Sequence, residues 1–293
     1  MKPFAYCKPG TLPEVFGLLS QYGKEAALLA GGTDLLVDWK KGLRSPRQII
    51  DLKGLSSLEG LATDDRGNLH IGSLTTMDAL SHSPLLEGGG WNLLAQAASK
   101  VGSQQIRNRA TIGGNICRSS PSGDTLPPLL CLEATFRLIG PRGERQVPAQ
   151  EFFLGPGKNA LQEEEILAEI ILPPFPSGCR GIYKKFSLRK AMDLAVVGVA
   201  MLGHIDPREN TFSQISIALG AVSPTPIRAR KAEEYLRGAQ LEPQLIEAAG
   251  RRAREEAFPI SDLRGSEWYR KELIEQLVQE AVRELAMAGD PPR

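Results

Sequence analysis

The residues best suited to hold a ligand lie in two short stretches, each built around a pair of glycines. The first glycine segment consists of Leu29, Ala30, Gly31, Gly32, Thr33, Asp34 and Leu35. The second glycine segment consists of Ala110, Thr111, Ile112, Gly113, Gly114 and Asn115. Paired glycines allow positive φ and a close approach to a bulky group, and successive amides can then point into one anion-binding concavity. Two such turns predict a site that grips a pyrophosphate from two sides.

A simpler interpretation of each segment stays open, because Gly-Gly between apolar runs is often only a tight turn. Neither segment has the G-x-G-x-x-G spacing of a dinucleotide fingerprint, and neither continues into the Lys-Ser/Thr of a Walker loop. The two segments predict a ligand site only when they are taken together and with the rest of the chain.

Composition excludes several function classes. The 293 residues include 35 Lys and Arg against 34 Asp and Glu, a net charge of +1 that gives no reason to expect nucleic acid or an anionic membrane as a partner. No apolar run approaches the roughly 18 residues of a transmembrane helix. The four cysteines are dispersed and the three histidines lack ligand spacing, so neither a metal site nor a protein-held cluster is expected. With no secretory signal visible, we expect a cytoplasmic protein.

Periodicity around the first glycine segment predicts a small β–α–β–α–β unit of about fifty residues. Thr11 is the expected N-cap of a helix over residues 13–22, which Gly23 ends. Residues 26–30 and 48–52 are expected strands, with a helix beginning at Leu35 between them.

The elements around the second glycine segment follow a different order. We expect strands over residues 69–72, 135–139 and 166–172. Helices are expected from Thr75 or Thr76, over residues 91–101, and from residue 129 to about residue 134. Residues 118–128 are predicted to be a long polar loop, of the kind that is usually functional or mobile.

The proline-rich residues 173–178 are the clearest domain boundary in the chain. Beyond them, three antiparallel strands are predicted, over residues 181–186, 195–202 and 212–219. Helices are predicted over residues 229–236, 244–257 and 266–288. The fold class is therefore α+β. We expect a first domain over residues 1–176, with lobes at about 1–55 and 56–176, and a second domain over residues 177–293.

Five segments in this order resemble a known family: residues 30–35, 111–116, 120–129, 223–229 and 260–266. The chain resembles, over nearly its whole length, the FAD-binding medium subunit of the molybdenum hydroxylases, the group that contains carbon monoxide dehydrogenase, bacterial xanthine dehydrogenase and nicotinate dehydrogenase. The resemblance implies a two-lobed FAD-binding domain of the vanillyl-alcohol-oxidase (PCMH) type, followed by a C-terminal domain with a three-stranded antiparallel sheet and helices.

The resemblance also implies which residues contact FAD. The pyrophosphate would accept hydrogen bonds from backbone donors at Gly31, Gly32, Thr33, Asp34, Thr111, Gly113, Gly114 and Asn115. Flanking contacts would come from Leu29, Ala30, Leu35, Val101, Ala110 and Ile112. Asp124 would accept hydrogen bonds from the adenosine ribose, although it can also be a simple turn residue after Gly123. Leu167 would contact the flavin through its backbone.

Two further contacts would come from the C-terminal domain. Lys185 would lie near the pyrimidine end of the isoalloxazine, where a cation stabilises the reduced flavin, and Leu194 would pack on the ring face. Leu194 departs from relatives that carry an aromatic residue at that position. The alternative is that residues 185–195 form a solvated basic turn.

The function implied by the resemblance is electron transfer within a three-part enzyme. FAD would be bound non-covalently, with molybdopterin on a large partner and [2Fe–2S] clusters on a small partner, in a dimer of heterotrimers. Electrons would leave to NAD⁺ or a quinone, and no residue of this chain is expected to act as a catalytic acid or base. Two other classes stay open: a self-contained flavin oxidoreductase with its own substrate pocket, and a flavin-free scaffold that keeps the fold.

Overall fold

The computed structural model describes residues 3–206 and 208–287. Its first sheet is parallel and three-stranded, with the third strand along the chain lying between the other two. The elements of this lobe are β1 (Ala5–Cys7), α1 (Leu12–Tyr22), β2 (Ala26–Leu29), α2 (Leu35–Lys40) and β3 (Gln48–Asp51). Thr11 caps α1 by accepting a hydrogen bond from the amide of Glu14, and Gly23 ends the helix with a φ of 46°. The predicted β–α–β–α–β unit is confirmed.

The second lobe contains a five-stranded antiparallel sheet, in which the last strand along the chain lies at the centre, between the second and the third. Its strands are β4 (Leu61–Thr63), β5 (Leu69–Gly72), β6 (Thr135–Gly140), β7 (Gly143–Pro148) and β10 (Ile166–Leu172), and a small ribbon joins β8 (Phe153–Gly155) to β9 (Lys158–Asn159). Its helices are α3 (Met77–Ser81), α4 (Asn92–Ser99), α5 (Gln104–Arg107), α6 (Ile112–Arg118), α7 (Leu126–Cys131) and α8 (Ala149–Phe152). The three strands predicted in this region are confirmed, and β4 and β7 extend the sheet at its edges.

The C-terminal region is an antiparallel sheet whose four strands lie in chain order, backed by helices. The strands are β11 (Arg180–Phe186), β12 (Val197–Asp206), β13 (Thr211–Gly220) and the two-residue β14 (Ile227–Arg228). The helices are α9 (Arg230–Leu236), α10 (Pro243–Glu255) and α11 (Glu267–Met287). The three predicted strands are confirmed, with β14 as an addition, and the predicted end of the last helix at Ala288 lies outside the described residues.

The predicted long loop over residues 118–128 is wrong in both extent and exposure. α6 includes Arg118, and α7 already begins at Leu126, so the connection spans only residues 119–125. Pro127 and Pro128 lie in the first turn of α7, where a missing backbone N–H costs nothing. Asp124 and Thr125 are buried in this connection rather than exposed at a loop tip.

One apolar core joins the second lobe to the C-terminal sheet. It includes Phe136 and Leu129 of the lobe together with Tyr183, Ala200 and Ala218 of the C-terminal strands. The Cys131 thiol at the end of α7 donates a hydrogen bond to the carbonyl of Ala200 at 3.3 Å. Because the second lobe and the C-terminal strands share this core, β11 and the residues after it lie directly beside the second lobe. Across the described part of the chain, no helix combines the length and apolar character needed to span a bilayer.

Candidate cofactor site

The first glycine segment links β2 to α2 and leaves a run of backbone donors unused. Gly32 has a φ of 76°, a conformation that strongly favours glycine, and its carbonyl accepts the amide of Leu36 at 3.1 Å to start the helix. Among the described residues, no acceptor is hydrogen-bonded to the amides of Gly31, Gly32, Thr33 and Asp34. Four adjacent donors with no partner in the described ranges form the nest-like arrangement that binds anions.

The two glycine segments lie against each other. A Cβ atom added to Gly31 would stand 2.1 Å from the carbonyl oxygen of Arg109 and 2.9 Å from the Cα of Ala110. Only glycine permits this approach of two backbones, so Gly31 is what lets the lobes meet here. The two segments therefore lie at one place in the fold, and their action as one ligand site stays a prediction.

The second glycine segment differs from the predicted turn because it is the start of a helix. Thr111 is the N-cap of α6, its hydroxyl accepts the amide of Gly114 at 3.1 Å, and its carbonyl accepts the amide of Asn115 at 3.0 Å. The amide of Gly113 donates to the carbonyl of Ser73 at 2.8 Å. Of the four backbone donors predicted here, only Thr111 has an amide without a partner among the described residues. The amides of Gly113, Gly114 and Asn115 already have protein acceptors, and their predicted contact with a diphosphate stays a prediction.

Glycine at position 113 serves packing. A Cβ there would lie 2.6 Å from the carbonyl oxygen of Ser73, so the start of α6 can approach the end of β5 only with glycine. The Asn115 side chain still offers a donor: its carbonyl oxygen accepts the hydroxyl of Thr125 at 2.7 Å, and its NH₂ group has no partner among the residues described.

Ion pairs fix the first glycine segment from both sides. The Lys53 ammonium donates to the carbonyl of Ala30 at 3.0 Å and to Asp51 at 2.7 Å. Burial acts to raise the pKa of Asp51, but hydrogen bonds from Lys53 and from the Tyr6 hydroxyl outweigh it, and the pKa is lowered. On the other side, Arg118 of α6 pairs with Asp38 of α2 at 2.6 Å. These contacts hold the unused amides in place.

A second polar group, here named the Asp124 cluster, consists of Asp124, Tyr183 and Lys185. The Tyr183 hydroxyl and the Lys185 ammonium each donate to the Asp124 carboxylate at 2.8 Å. The Lys185 ammonium also donates to the carbonyls of Lys100 and Asp193, both at 3.0 Å. The side chains of Lys185 and Asp124 are only 7% and 8% exposed. Burial, together with the adjacent Asp124 charge, raises the pKa of Tyr183 well above its usual range.

This contact contradicts part of the sequence-based assignment. The resemblance implies that Asp124 contacts the adenosine ribose and Lys185 the pyrimidine end of the flavin, which are opposite ends of an extended FAD. Since the two side chains touch, at most one of these roles can be correct in this conformation. All three ammonium donors of Lys185 already have protein acceptors, so its side chain offers no free donor to a ligand.

The remaining predicted contacts are distributed around these two groups. Leu167 is buried in β10, next to a bulge where the carbonyl of Ala168 accepts the amide of Ser73 at 3.0 Å. Val101 is half-buried, and Leu194 is 47% exposed on the loop after β11. Tyr183 was missed from sequence, although its two-residue spacing from Lys185 on one strand would have placed both on the same face.

Comparison with known proteins identifies the family. Residues 2–175 match the FAD binding domain in molybdopterin dehydrogenase, and residues 182–285 match the CO dehydrogenase flavoprotein C-terminal domain. The chain belongs to this family of FAD-binding subunits of molybdopterin-dependent oxidoreductases.

Individual relatives match over almost their full length. A putative xanthine dehydrogenase FAD-binding subunit of Escherichia coli (strain K12) is 35% identical over 97% of both chains. The carbon monoxide dehydrogenase medium chain of Hydrogenophaga pseudoflava is 36% identical, over 95% of this chain and 96% of the relative. A solved structure of the carbon monoxide dehydrogenase from that organism, lacking the Mo-pyranopterin moiety of its cofactor, superposes with a TM-score of 0.93 at 35% identity and covers 99% of each chain.

The residues present fit FAD, the cofactor of this family. A diphosphate needs several donors at close range, and the amides of residues 31–34, which have no acceptor among the described residues, supply them where Gly32 has positive φ. The side-chain NH₂ of Asn115 and the amide of Thr111 add donors from the facing segment. The donor set is neutral, so binding the diphosphate requires no rearrangement of a buried charge.

Proposed function

We propose that this chain is the electron-transfer flavoprotein subunit of a molybdenum hydroxylase complex. In the proposal it takes electrons from [2Fe–2S] clusters of a small partner subunit and passes them to NAD⁺ or a quinone. FAD, when bound, supplies the redox chemistry, and the chain binds it non-covalently, orients it and sets its electrostatic surroundings. The chain divides at residues 176/177, and its first domain divides near residue 55.

The observation that carries the proposal is the run of four amides in the first glycine segment that have no acceptor within the described part of the chain. In the proposal, Gly31, Gly32, Thr33 and Asp34 hold the diphosphate, with Thr111 and the Asn115 side chain opposite. The walls come from Leu29, Ala30, Leu35, Val101, Ala110, Ile112, Gly113, Gly114 and Leu167.

The Asp124 cluster has a different part in the proposal. Asp124 and Lys185 tie the C-terminal strand β11 to the second lobe, and they place the positive end of an ion pair beside the flavin site. Leu194, exposed on the adjoining loop, is then free to cover the ring.

Partner subunits are inferred from the relatives, which are described as an FAD-binding subunit and a medium chain. Such names belong to proteins that work inside larger assemblies. We propose that molybdopterin lies on a large partner and the clusters on a small one, in a dimer of heterotrimers.

Affinity purification of the chain from its native host tests this proposal. We expect two further polypeptides to co-purify, with molybdenum, iron and FAD at about 1:4:1, because two [2Fe–2S] clusters contain four irons. A lone polypeptide with FAD that turns over a substrate would overturn the proposal and support the self-contained oxidoreductase. A purified chain without flavin absorbance would support the scaffold.

A further inference from the structure

Arg118, the last residue of α6, bridges the two lobes of the first domain. Its guanidinium donates to the carboxylate of Asp38 through Nη1 at 2.6 Å and through Nη2 at 3.4 Å. Its Nε atom lies 3.6 Å from the carboxylate of Asp34. Among the described residues, no other side chain makes a hydrogen bond or a salt bridge between residues 3–55 and residues 56–176. The polar connection of the lobes therefore depends on one arginine.

This bridge joins the two helices that follow the glycine segments. The amides of residues 31–34 lead directly into α2, and the Asp38 amide donates to the Asp34 carbonyl at 2.9 Å, one helical turn further on. Thr111 is the N-cap of α6 and Arg118 is its last residue, about 10 Å away by the rise of a helix. Fixing α2 to α6 therefore also fixes the amides of the first segment relative to Thr111.

Asp38 depends on this partner because its carboxylate is withdrawn from water. The residue is only 7% exposed, and both of its carboxylate oxygens accept a hydrogen bond from Arg118. Arg44, which belongs to the same lobe as Asp38, approaches no closer than 3.9 Å. A two-pronged pairing of this kind adds geometric specificity to the attraction of the charges. Arg118 therefore holds α2 at a defined distance as well as neutralising Asp38.

We infer that Arg118 is a positioning residue for FAD, which sets the spacing between the two donor groups and thereby the rate at which FAD leaves. In this inference Arg118 does not touch FAD, because its guanidinium faces Asp38 and Asp34. A diphosphate held from two sides loses hydrogen bonds when the sides separate, since these bonds weaken steeply with poor geometry. The inference rests on the proposed function, in which the amides of residues 31–34 bind the diphosphate.

Asp38→Asn is the most informative variant. It breaks the ion pair and leaves Arg118, whose side chain is 37% exposed, where water can solvate it. FAD dissociation is measured as free flavin released after dilution of the FAD-loaded protein. We expect it to be about tenfold faster, the effect of losing one charged hydrogen bond. Arg118→Gln should give the same increase, and the double variant should be no faster than either single variant because both remove one bridge.

The matched control is a second ion pair of the same kind that lies within one lobe. Arg145 donates to the Glu165 carboxylate through two nitrogens, both at 2.8 Å. Its side chains are 37% and 12% exposed, against 37% and 11% for Arg118 and Asp38. Removing this pair with Arg145→Gln and Glu165→Gln should leave the FAD dissociation rate unchanged.

Urea denaturation separates positioning from general stability. Arg118→Gln leaves the Asp38 carboxylate buried with a weaker partner, so its urea midpoint should fall. Adding Asp38→Asn removes that uncompensated charge, and the midpoint should recover while FAD dissociation stays fast. A purely structural role for Arg118 would instead restore both quantities together.

Three results would overturn the inference. A wild-type dissociation rate in Asp38→Asn would show that the bridge does not position the donors. Slower dissociation in Asp38→Asn, with faster dissociation in Arg118→Gln, would show that Arg118 contacts the diphosphate itself. Equal acceleration in the Arg145 and Glu165 control would show that any lost ion pair loosens the site. These results leave the proposed function intact, whereas a wild-type protein without FAD removes the proposed function as well.

Discussion

The first glycine segment and the Asp124 cluster are both candidate cofactor contacts, yet they are built in opposite ways. The glycine segment is made of backbone amides that carry no charge and have no partners among the described residues. In the Asp124 cluster, buried charges face each other, both carboxylate oxygens are hydrogen-bonded, and the ammonium has three acceptors. One region is incomplete without a ligand, and the other is complete without one.

This difference indicates that the first glycine segment binds the cofactor and that the Asp124 cluster holds the C-terminal strand β11 against the second lobe. Unpaired donors lose little when a diphosphate arrives, because there is no internal bond to break. Moving Lys185 toward a ligand would instead leave the buried carboxylate of Asp124 without its counter-charge. The free-energy cost of that uncompensated charge is larger than the gain from the new contact. We therefore expect mutations in the cluster to act mainly on stability and mutations in the glycine segment to act mainly on FAD retention.

The largest expected effect comes from Lys185→Met. It leaves Asp124 buried without its counter-charge, and we expect the free energy of unfolding to fall by about 3–5 kcal/mol. Urea denaturation of the FAD-free protein measures this without interference from the ligand. Adding Asp124→Asn to the variant should recover part of the loss, because the uncompensated charge is then absent.

Lys158→Met is the control for this comparison, since Lys158 is exposed on the β8–β9 ribbon and in no salt bridge among the described residues. If Lys185→Met were no more destabilising than this surface change, the cluster would not be the self-contained buried group described above.

Gly31→Ala is expected to have the next largest effect and to act on both stability and FAD. Its Cβ would meet the Arg109 carbonyl at 2.1 Å, and a backbone oxygen cannot move aside as a flexible side chain can. We expect a loss of about 1–3 kcal/mol in stability, together with loss of FAD as the amides are displaced. The ratio of flavin to protein absorbance measures the second effect.

Gly114→Ala tests whether close packing around a glycine, rather than its place in a Gly-Gly pair, makes the substitution destabilising. Its Cβ would have a single close neighbour, the Thr111 hydroxyl oxygen at 3.0 Å, which has to shift by only a few tenths of an ångström. Because Gly114 lies within α6, alanine should change stability by less than about 1 kcal/mol, in the favourable direction. Equal destabilisation by Gly31→Ala and Gly114→Ala would contradict the contrast drawn between the two segments.

Much of the fold could be predicted because local signals agreed with it. Thr11, Pro13 and Gly23 mark the ends of α1, and the apolar runs of β2, β3, β5 and β10 fall where they were expected. The prediction of a loop over residues 118–128 is wrong in extent because serine, glycine and proline indicate a loop by composition. Whether prolines end a helix or begin one depends on the backbone before them, and here they begin α7.

The site was less predictable because its details depend on contacts between distant residues. Gly-Gly is a turn with free amides in one segment and a helix start in the other, and Ser73, which takes the amide of Gly113, lies forty residues earlier in the sequence. Asp124 and Lys185 are separated by 61 positions, so no local pattern could show that they pair. The resemblance placed both residues at the cofactor, but only the structure shows that they contact each other.

The smallest loss of stability is expected from Asp51→Asn, which probes how the glycine segment is anchored. Asp51 holds Lys53, whose ammonium also donates to the Ala30 carbonyl. Its folded-state pKa is lowered, so its stabilisation is present above the ordinary Asp pKa of about 3.9 and is lost as pH falls through the folded value. We expect Asp51→Asn to cost about 1–2 kcal/mol at pH 7 and progressively less below about pH 4, measured by thermal unfolding across that range. A cost that stays constant down to pH 2 would show that the carboxylate charge does not hold this anchor. Loss of FAD from Asp51→Asn under conditions where the variant is still fully folded would show that Lys53 positions the amides as well as the strand.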